Sequence, residues 1–197
     1  MDRRKTNLTA RMAALPVAAV MILMMGTAGP VQAQTTLFQA PEIVVVAAEG
    51  NVARLKDLLA QNTNVNKQDS KGRTALIVAS IGGEVDIAAM LLEAGARTDI
   101  ADKSGNGPLS WAAGQGESEI VRLLLAAGAD IDNQKRQGQT PLMLAASKGQ
   151  LRAVRMLLEA GADVEIYDYT GRGPLGWARD GRNPQIEQLL KEAGATD

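Results

Sequence analysis

The sequence predicts an all-α fold: a solenoid of stacked helix–loop–helix units with a repeat period of 33. Three observations predict it. Gly72, Gly105, Gly138 and Gly171 align at a shift of 33, as do Leu76, Leu109, Leu142 and Leu175, and Gly95, Gly128, Gly161 and Gly194. Inside each period, apolar residues recur at helical spacing between glycines. Hydrophobic residues make up 46% of the chain but aromatics only 3%, so the core must be built from Ala, Leu, Ile and Val. Side chains that small let neighbouring helices approach closely.

The unit can be justified residue by residue in 138–163. Thr140 can cap a helix, and Pro141 fits the first helical position, where its missing N–H costs nothing. Leu142, Ala145 and Ala146 give this first helix a narrow apolar face. Gly149 ends it in the left-handed conformation. Leu151, Val154, Leu157 and Leu158 then mark a second helix, ended by Gly161. The stretch 162–171 is too polar for a third helix, and Gly171 suits a tight turn at its tip.

This order of turn, helix, loop, helix and hairpin resembles the ankyrin repeat. The family's TPLH signature stands as Thr74-Ala75-Leu76-Ile77, Gly107-Pro108-Leu109-Ser110, Thr140-Pro141-Leu142-Met143 and Gly173-Pro174-Leu175-Gly176. Its second-helix signature stands almost unaltered over Ile120 to Ile131. The resemblance covers residues 41–197 and implies short β-hairpin loops between helix pairs. It departs from the family at the signature His, where Ile77, Ser110, Met143 and Gly176 stand. The loop-to-loop hydrogen bonds of that His must be absent or replaced, with lower stability per repeat and no change of fold.

The expected organisation is a cap repeat over 41–69, full repeats over 70–102, 103–135 and 136–168, and a C-terminal cap over 169–197. The first cap lacks the leading hairpin. Its Ile43 to Val46 run also suits a β-strand, but the repeat register favours a helix. In the last cap Lys191 replaces the third apolar residue seen in Leu92, Leu125 and Leu158, and Asn183 and Pro184 supply the cap and first residue of the final helix. A polar outer face is what a terminal unit needs.

Residues 1–33 read as a secretory signal peptide. Arg3, Arg4, Lys5 and Arg11 precede an apolar run from Met12 to Met25, and Val31 and Ala33 hold the −3 and −1 positions of a cleavage site. The run is shorter than the ~20 residues of a spanning helix. No Cys follows for lipid attachment, and Thr6 and Asn7 spoil a twin-arginine motif. Export to a periplasm is therefore expected, with cleavage after Ala33 and a short tail over 34–40. The alternative is an inner-membrane anchor made by an uncleaved signal. Cleavage removes four basic residues and Asp2, leaving 17 basic and 21 acidic residues, net −4. Nucleic acid is a poor partner for such a charge.

The chain has no His and no Cys. Thiol nucleophiles, Ser-His-Asp triads, zinc sites with His or Cys ligands and disulfides are excluded. Asp130 with Asp132, and Asp163 with Glu165, recur at repeat spacing and read as hairpin caps, not acid–base pairs. No phosphate-binding loop and no dinucleotide turn is present. We therefore expect no enzyme activity, no cofactor and no metal.

Trp111 and Trp177 occupy one repeat position, two periods apart. They suit packing between repeats or an edge on a binding face, where Trp is enriched. Tyr167 and Tyr169 flank a hairpin tip near Trp177 and suggest an aromatic cluster. The resemblance implies protein recognition through a concave face of hairpin tips and first helices. On this chain that face maps to Ser70, Lys71, Arg73 and Ile81, then Lys103, Ser104, Asn106 and Gln115. It continues through Arg136, Gln137, Gln139, Ser147 and Lys148 to Tyr169, Thr170, Arg172 and Asp180. The expectation is a monomeric, exported, non-enzymatic module that scaffolds, protects or inhibits an envelope or secreted protein. A self-associating structural solenoid is the alternative.

Overall fold

The computed structural model describes residues 40–134 and 137–196, within the unit Leu37–Asp197. The segment read as a signal peptide, most of the tail behind it, and the pair Lys135–Arg136 lie outside the described residues.

Helices come in pairs, one pair per repeat. Their order is α1 Glu42–Ala48 and α2 Val52–Ala60, α3 Ala75–Gly82 and α4 Val85–Glu93, then α5 Pro108–Gln115 and α6 Ser118–Ala126. The last two pairs are α7 Pro141–Ser147 with α8 Leu151–Glu159, and α9 Pro174–Asp180 with α10 Pro184–Glu192. No strand occurs among the described residues. First helices pack in series, α1 on α3, α3 on α5, α5 on α7 and α7 on α9, and second helices form a parallel series. One continuous core runs between the two rows.

The small-residue register explains the close first-helix row. Ala79, Ala112, Ala145 and Ala178 are all fully buried, as are Leu76 and Leu142 beside them. The second row contributes Leu91, Leu124, Leu157 and Leu190, also fully buried. Truncating one such Leu to Ala typically costs ~2–5 kcal/mol, because the cavity cannot close. The β-branched run in the first cap folds as helix α1. Ile43, Val44, Val46 and Ala47 are buried while Val45 faces out, so tertiary burial on α3 outweighs local strand preference.

Local caps fix the helix starts. Thr74 and Thr140 accept from the amides of Ile77 and Met143, both at 3.3 Å. Pro141, like Pro108 and Pro174, opens its helix. Asn183 is different from expectation. It holds the N-cap position of α10, but its side chain makes no capping bond there. Its amide instead donates to Gly181 O at 2.9 Å and across to Ala146 O at 3.4 Å. The side chain is thus shared between a carbonyl of its own repeat, the nearer, and one of the preceding repeat.

Each repeat also reaches back over its neighbour. Gly50, Gly83, Gly116 and Gly149 sit under the side chains of Glu84, Glu117, Gln150 and Asn183, in that order. Gly116 has φ of 83° and ends α5. A β-carbon there would strain the backbone and collide with Gln150.

Candidate protein-binding surface

The hairpin loops between repeats are turns organised by an aspartate. Asp69 Oδ1 accepts from the amides of Lys71 (2.8 Å) and Arg73 (2.9 Å). Asp102 Oδ1 accepts from Ser104 and Asn106, and Asp168 Oδ1 from Thr170 and Arg172, at 2.8 to 3.0 Å. A turn bond closes each loop, for example Gly171 N to Asp168 O at 2.9 Å. The other carboxylate oxygen takes a side-chain donor. For Asp69 it is Arg73 Nε at 2.9 Å, for Asp102 Trp111 Nε1 at 2.9 Å, and for Asp168 Trp177 Nε1 at 3.0 Å.

In two of these turns the bonds favour the charged aspartate. Burial pushes the carboxyls of Asp69 and Asp168 up, but the hydrogen bonds they accept outweigh it. Both are held below the ordinary carboxylate range. Asp132 goes the other way. Burial raises it, and the charges of Asp163 and Asp130 add to that, against the amide bond from Asp163. Its Oδ1 accepts that amide at 3.0 Å, a bond between repeats. Asp130 and Asp163 accept from Asp132 N and Glu165 N, which makes them turn caps.

Two glutamines supply side-chain bonds from one loop to the next. Gln68 Nε2 donates to Gly72 O in its own loop and to Ala101 O in the next repeat. Two repeats on, Gln134 does the same with Gly138 O (2.9 Å) and Tyr167 O (3.2 Å). Backbone bonds add Lys103 N to Lys71 O at 3.0 Å and Tyr169 N to Gln137 O at 3.1 Å. Two pairs of neighbouring loops are thereby tied, the one at Lys71 to the one at Lys103 and the one at Gln137 to the one at Tyr169.

On these loops Lys71, Lys103 and Tyr169 are exposed, with Gln115 and Lys148 exposed at the ends of first helices. Ile81 and Gln139 are half-buried. Arg73 is held by its pair with Asp69 at 2.7 Å. Arg136 lies outside the described residues. Arg172 lies 4.9 Å from the centre of the Trp177 ring and pairs with Asp180. Both tryptophans are half-buried, their N–H edges turned to the hairpin aspartates.

The tyrosines do not join Trp177 in one cluster. The Tyr169 ring leans over Gly138 of the preceding loop, while Tyr167 covers Gly173 and its hydroxyl meets Thr196 at 3.3 Å. Tyr169 thus packs toward the preceding repeat and Tyr167 toward the C-terminal end of the chain, which separates them. A cavity of about 290 Å³ opens between α5 and α7, lined by Asn106, Ser110, Trp111, Gly114, Gln115, Leu144 and Lys148. Sequence reading gave no role to Asp102, Asp168, Leu144 or Gly114. A signal was present, since Asp accompanies Trp in two repeats while Lys135 accompanies Leu144 in the third.

Among the described residues no group of His, Cys, Asp or Glu is placed to hold a metal, and no helix is long and apolar enough to cross a membrane. A family described as ankyrin repeats (3 copies) matches residues 43–135 and 127–197. With that match across most of its length, and five helix pairs in the expected register, the chain belongs to the ankyrin repeat family.

Proposed function

We propose that this chain is an exported, non-enzymatic binding module that scaffolds, protects or inhibits a protein of the cell envelope or a secreted protein. Ankyrin repeats are in general protein–protein interaction modules. The observation that carries the reading is the tying of neighbouring loops by Lys103 N to Lys71 O and Tyr169 N to Gln137 O. These bonds hold exposed Lys71 beside Lys103, and Tyr169 beside Gln137, in fixed relation, so little ordering entropy is lost on binding. Tyr169 is 74% exposed, an amphipathic ring of the kind that anchors interfaces.

Export rests on the signal pattern of residues 1–33, and a periplasm is its destination in this proposal. An uncleaved signal would leave the same module anchored at the inner membrane. The module acts as a monomer here, and a mass that does not change with concentration in light scattering tests that.

The deciding experiment is crosslinking and co-purification from the envelope fraction, with a Lys148, Tyr169 and Arg172 triple alanine variant beside the wild type. Loss of one specific protein from the variant is expected. A protein recovered uncleaved from cytosol overturns the export part. Capture unaffected by the triple variant overturns this surface.

A further inference from the structure

Repeats carrying a hairpin aspartate offer three versions of one arrangement. The second repeat has Arg73 four residues after Asp69, and the arginine itself takes Asp69 Oδ2. In the last repeat the same position is Arg172, while Trp177 takes the Asp168 oxygen. Arg172 then lies over the indole, 4.9 Å from its centre, and pairs with Asp180. Its stem crosses Gly176, where a β-carbon would come within 2.7 Å of Arg172 Cγ.

The middle repeat keeps the Trp and the Asp but lacks the arginine. Trp111 donates to Asp102 as Trp177 does to Asp168. The positions of Arg172 and Asp180 are here Asn106 and Gly114, both too short to cover the ring. The space they vacate is the cavity of about 290 Å³. Asn106 Oδ1 is buried at its edge with no hydrogen-bond partner, alone in this among the described side chains. A buried acceptor left unpaired is costly, and turning the Asn106 side chain toward the cavity would let a ligand donor relieve it.

We propose that this cavity receives an arginine side chain of the bound protein, its guanidinium over Trp111 as Arg172 lies over Trp177, and donating to Asn106 Oδ1 once that side chain turns into the cavity. This deepens the binding-module reading and rests on it. A carboxylate ligand could meet Lys148 on the far wall, but it has no proton for Asn106 Oδ1. It would also face the negative ring surface and the nearby Asp102 charge. An apolar ligand would leave Oδ1 unpaired. A guanidinium is planar, stacks on indole and carries several donors, so it satisfies the ring and the amide together. Lys148 opposes the cation, yet it is exposed and its flexible stem can keep the charge in water.

The test uses the two indole N–H resonances of the ¹⁵N-labelled protein. N-acetyl-arginine-methylamide is titrated in, with the lysine and glutamate analogues as separate arms. Expected is a saturable millimolar shift of Trp111 with Trp177 unmoved, strongest for the arginine probe. Asn106→Leu should weaken it about tenfold, the scale of a lost charge-assisted hydrogen bond, and Lys148→Met should tighten it. Asn106→Arg with Ser110→Gly and Gly114→Asp rebuilds the last repeat's cover and should abolish the shift, with the Trp177 resonance reporting that the fold is intact. No saturable Trp111 shift, equal movement of both indoles, or a stronger response to the glutamate probe would overturn the proposal. A partner captured equally by wild type and the covered variant also overturns it while leaving the binding-module reading standing. Saturation at Trp111 with no protein captured leaves the arginine site standing and removes that reading.

Discussion

The Trp177 indole N–H donates to Asp168 Oδ2 at 3.0 Å, tying the loop before the last helix pair to its first helix. Trp111 and Asp102 repeat the bond at 2.9 Å. A Trp at this position is thus a loop fastener first, with its ring face left over for other contacts.

Removing the indole donor should therefore cost more than its apolar area. Trp177→Phe leaves Asp168 Oδ2 without that bond, and the expected loss is ~1–3 kcal/mol in urea unfolding. In a double-mutant cycle with Asp168→Asn the coupling should reach ~1 kcal/mol. A coupling near zero would mean that the ring only fills space.

Gly138 and Gly171 occupy the same loop position with φ of 79° and 78°. Alanine strains both backbones by ~1 kcal/mol. Only Gly138 has a following loop against it, and a β-carbon there would sit 2.9 Å from Tyr169 N and 2.7 Å from the Tyr169 ring. Gly138→Ala should destabilise clearly more than Gly171→Ala. Equal midpoints would show that the loops are not packed on one another.

Gln134→Ala should loosen the junction that Gln134 spans between Gly138 O and Tyr167 O. The expected cost is ~1 kcal/mol. Faster hydrogen exchange at the Tyr169 amide, bonded to Gln137 O, is the local readout. Unchanged exchange at that amide would count against a bridging role.

The aspartates give pH effects of opposite sign. Asp69 and Asp168 have folded pKa values below their unfolded value of about 3.9. Their contribution is present at neutral pH and is lost as pH falls through the folded values. Asp168→Asn should flatten the acid side of the Tm profile. Asp132 is raised on folding, so its ionisation weighs against the fold as pH rises past about 3.9. Asp132→Asn keeps an oxygen for Asp163 N and should raise the unfolding free energy at pH 7, by under about 1 kcal/mol after solvent screening, with a higher Tm as the readout. That gain should vanish below the carboxylate range, and a gain persisting there would contradict the charge explanation.

Much of the fold was legible because a stacked repeat writes its contacts at a fixed interval. Ala79, Ala112, Ala145 and Ala178 must all be small for the same reason, so each position is stated four times. Glycine and Thr-Pro punctuation fixes helix ends through local chemistry alone. The exposure of Lys71, Lys103 and Tyr169 on the loops was legible too, because a polar or amphipathic residue at a turn tip has no core to enter. The aromatic grouping was not, because Tyr169 packs on Gly138 of the preceding loop while Tyr167 packs on Gly173 and meets Thr196.

The sequence by itself determined the period, the helix pairs, the small-residue core and the lack of His and Cys chemistry. Each of these follows from residue type and local spacing. Only the tertiary structure decided which donor each hairpin aspartate holds, what Asn183 reaches, and that Asn106 Oδ1 lies buried beside an uncovered Trp111. Those outcomes depend on competition between partners in adjacent repeats or on another element, where distance, not composition, selects the bond.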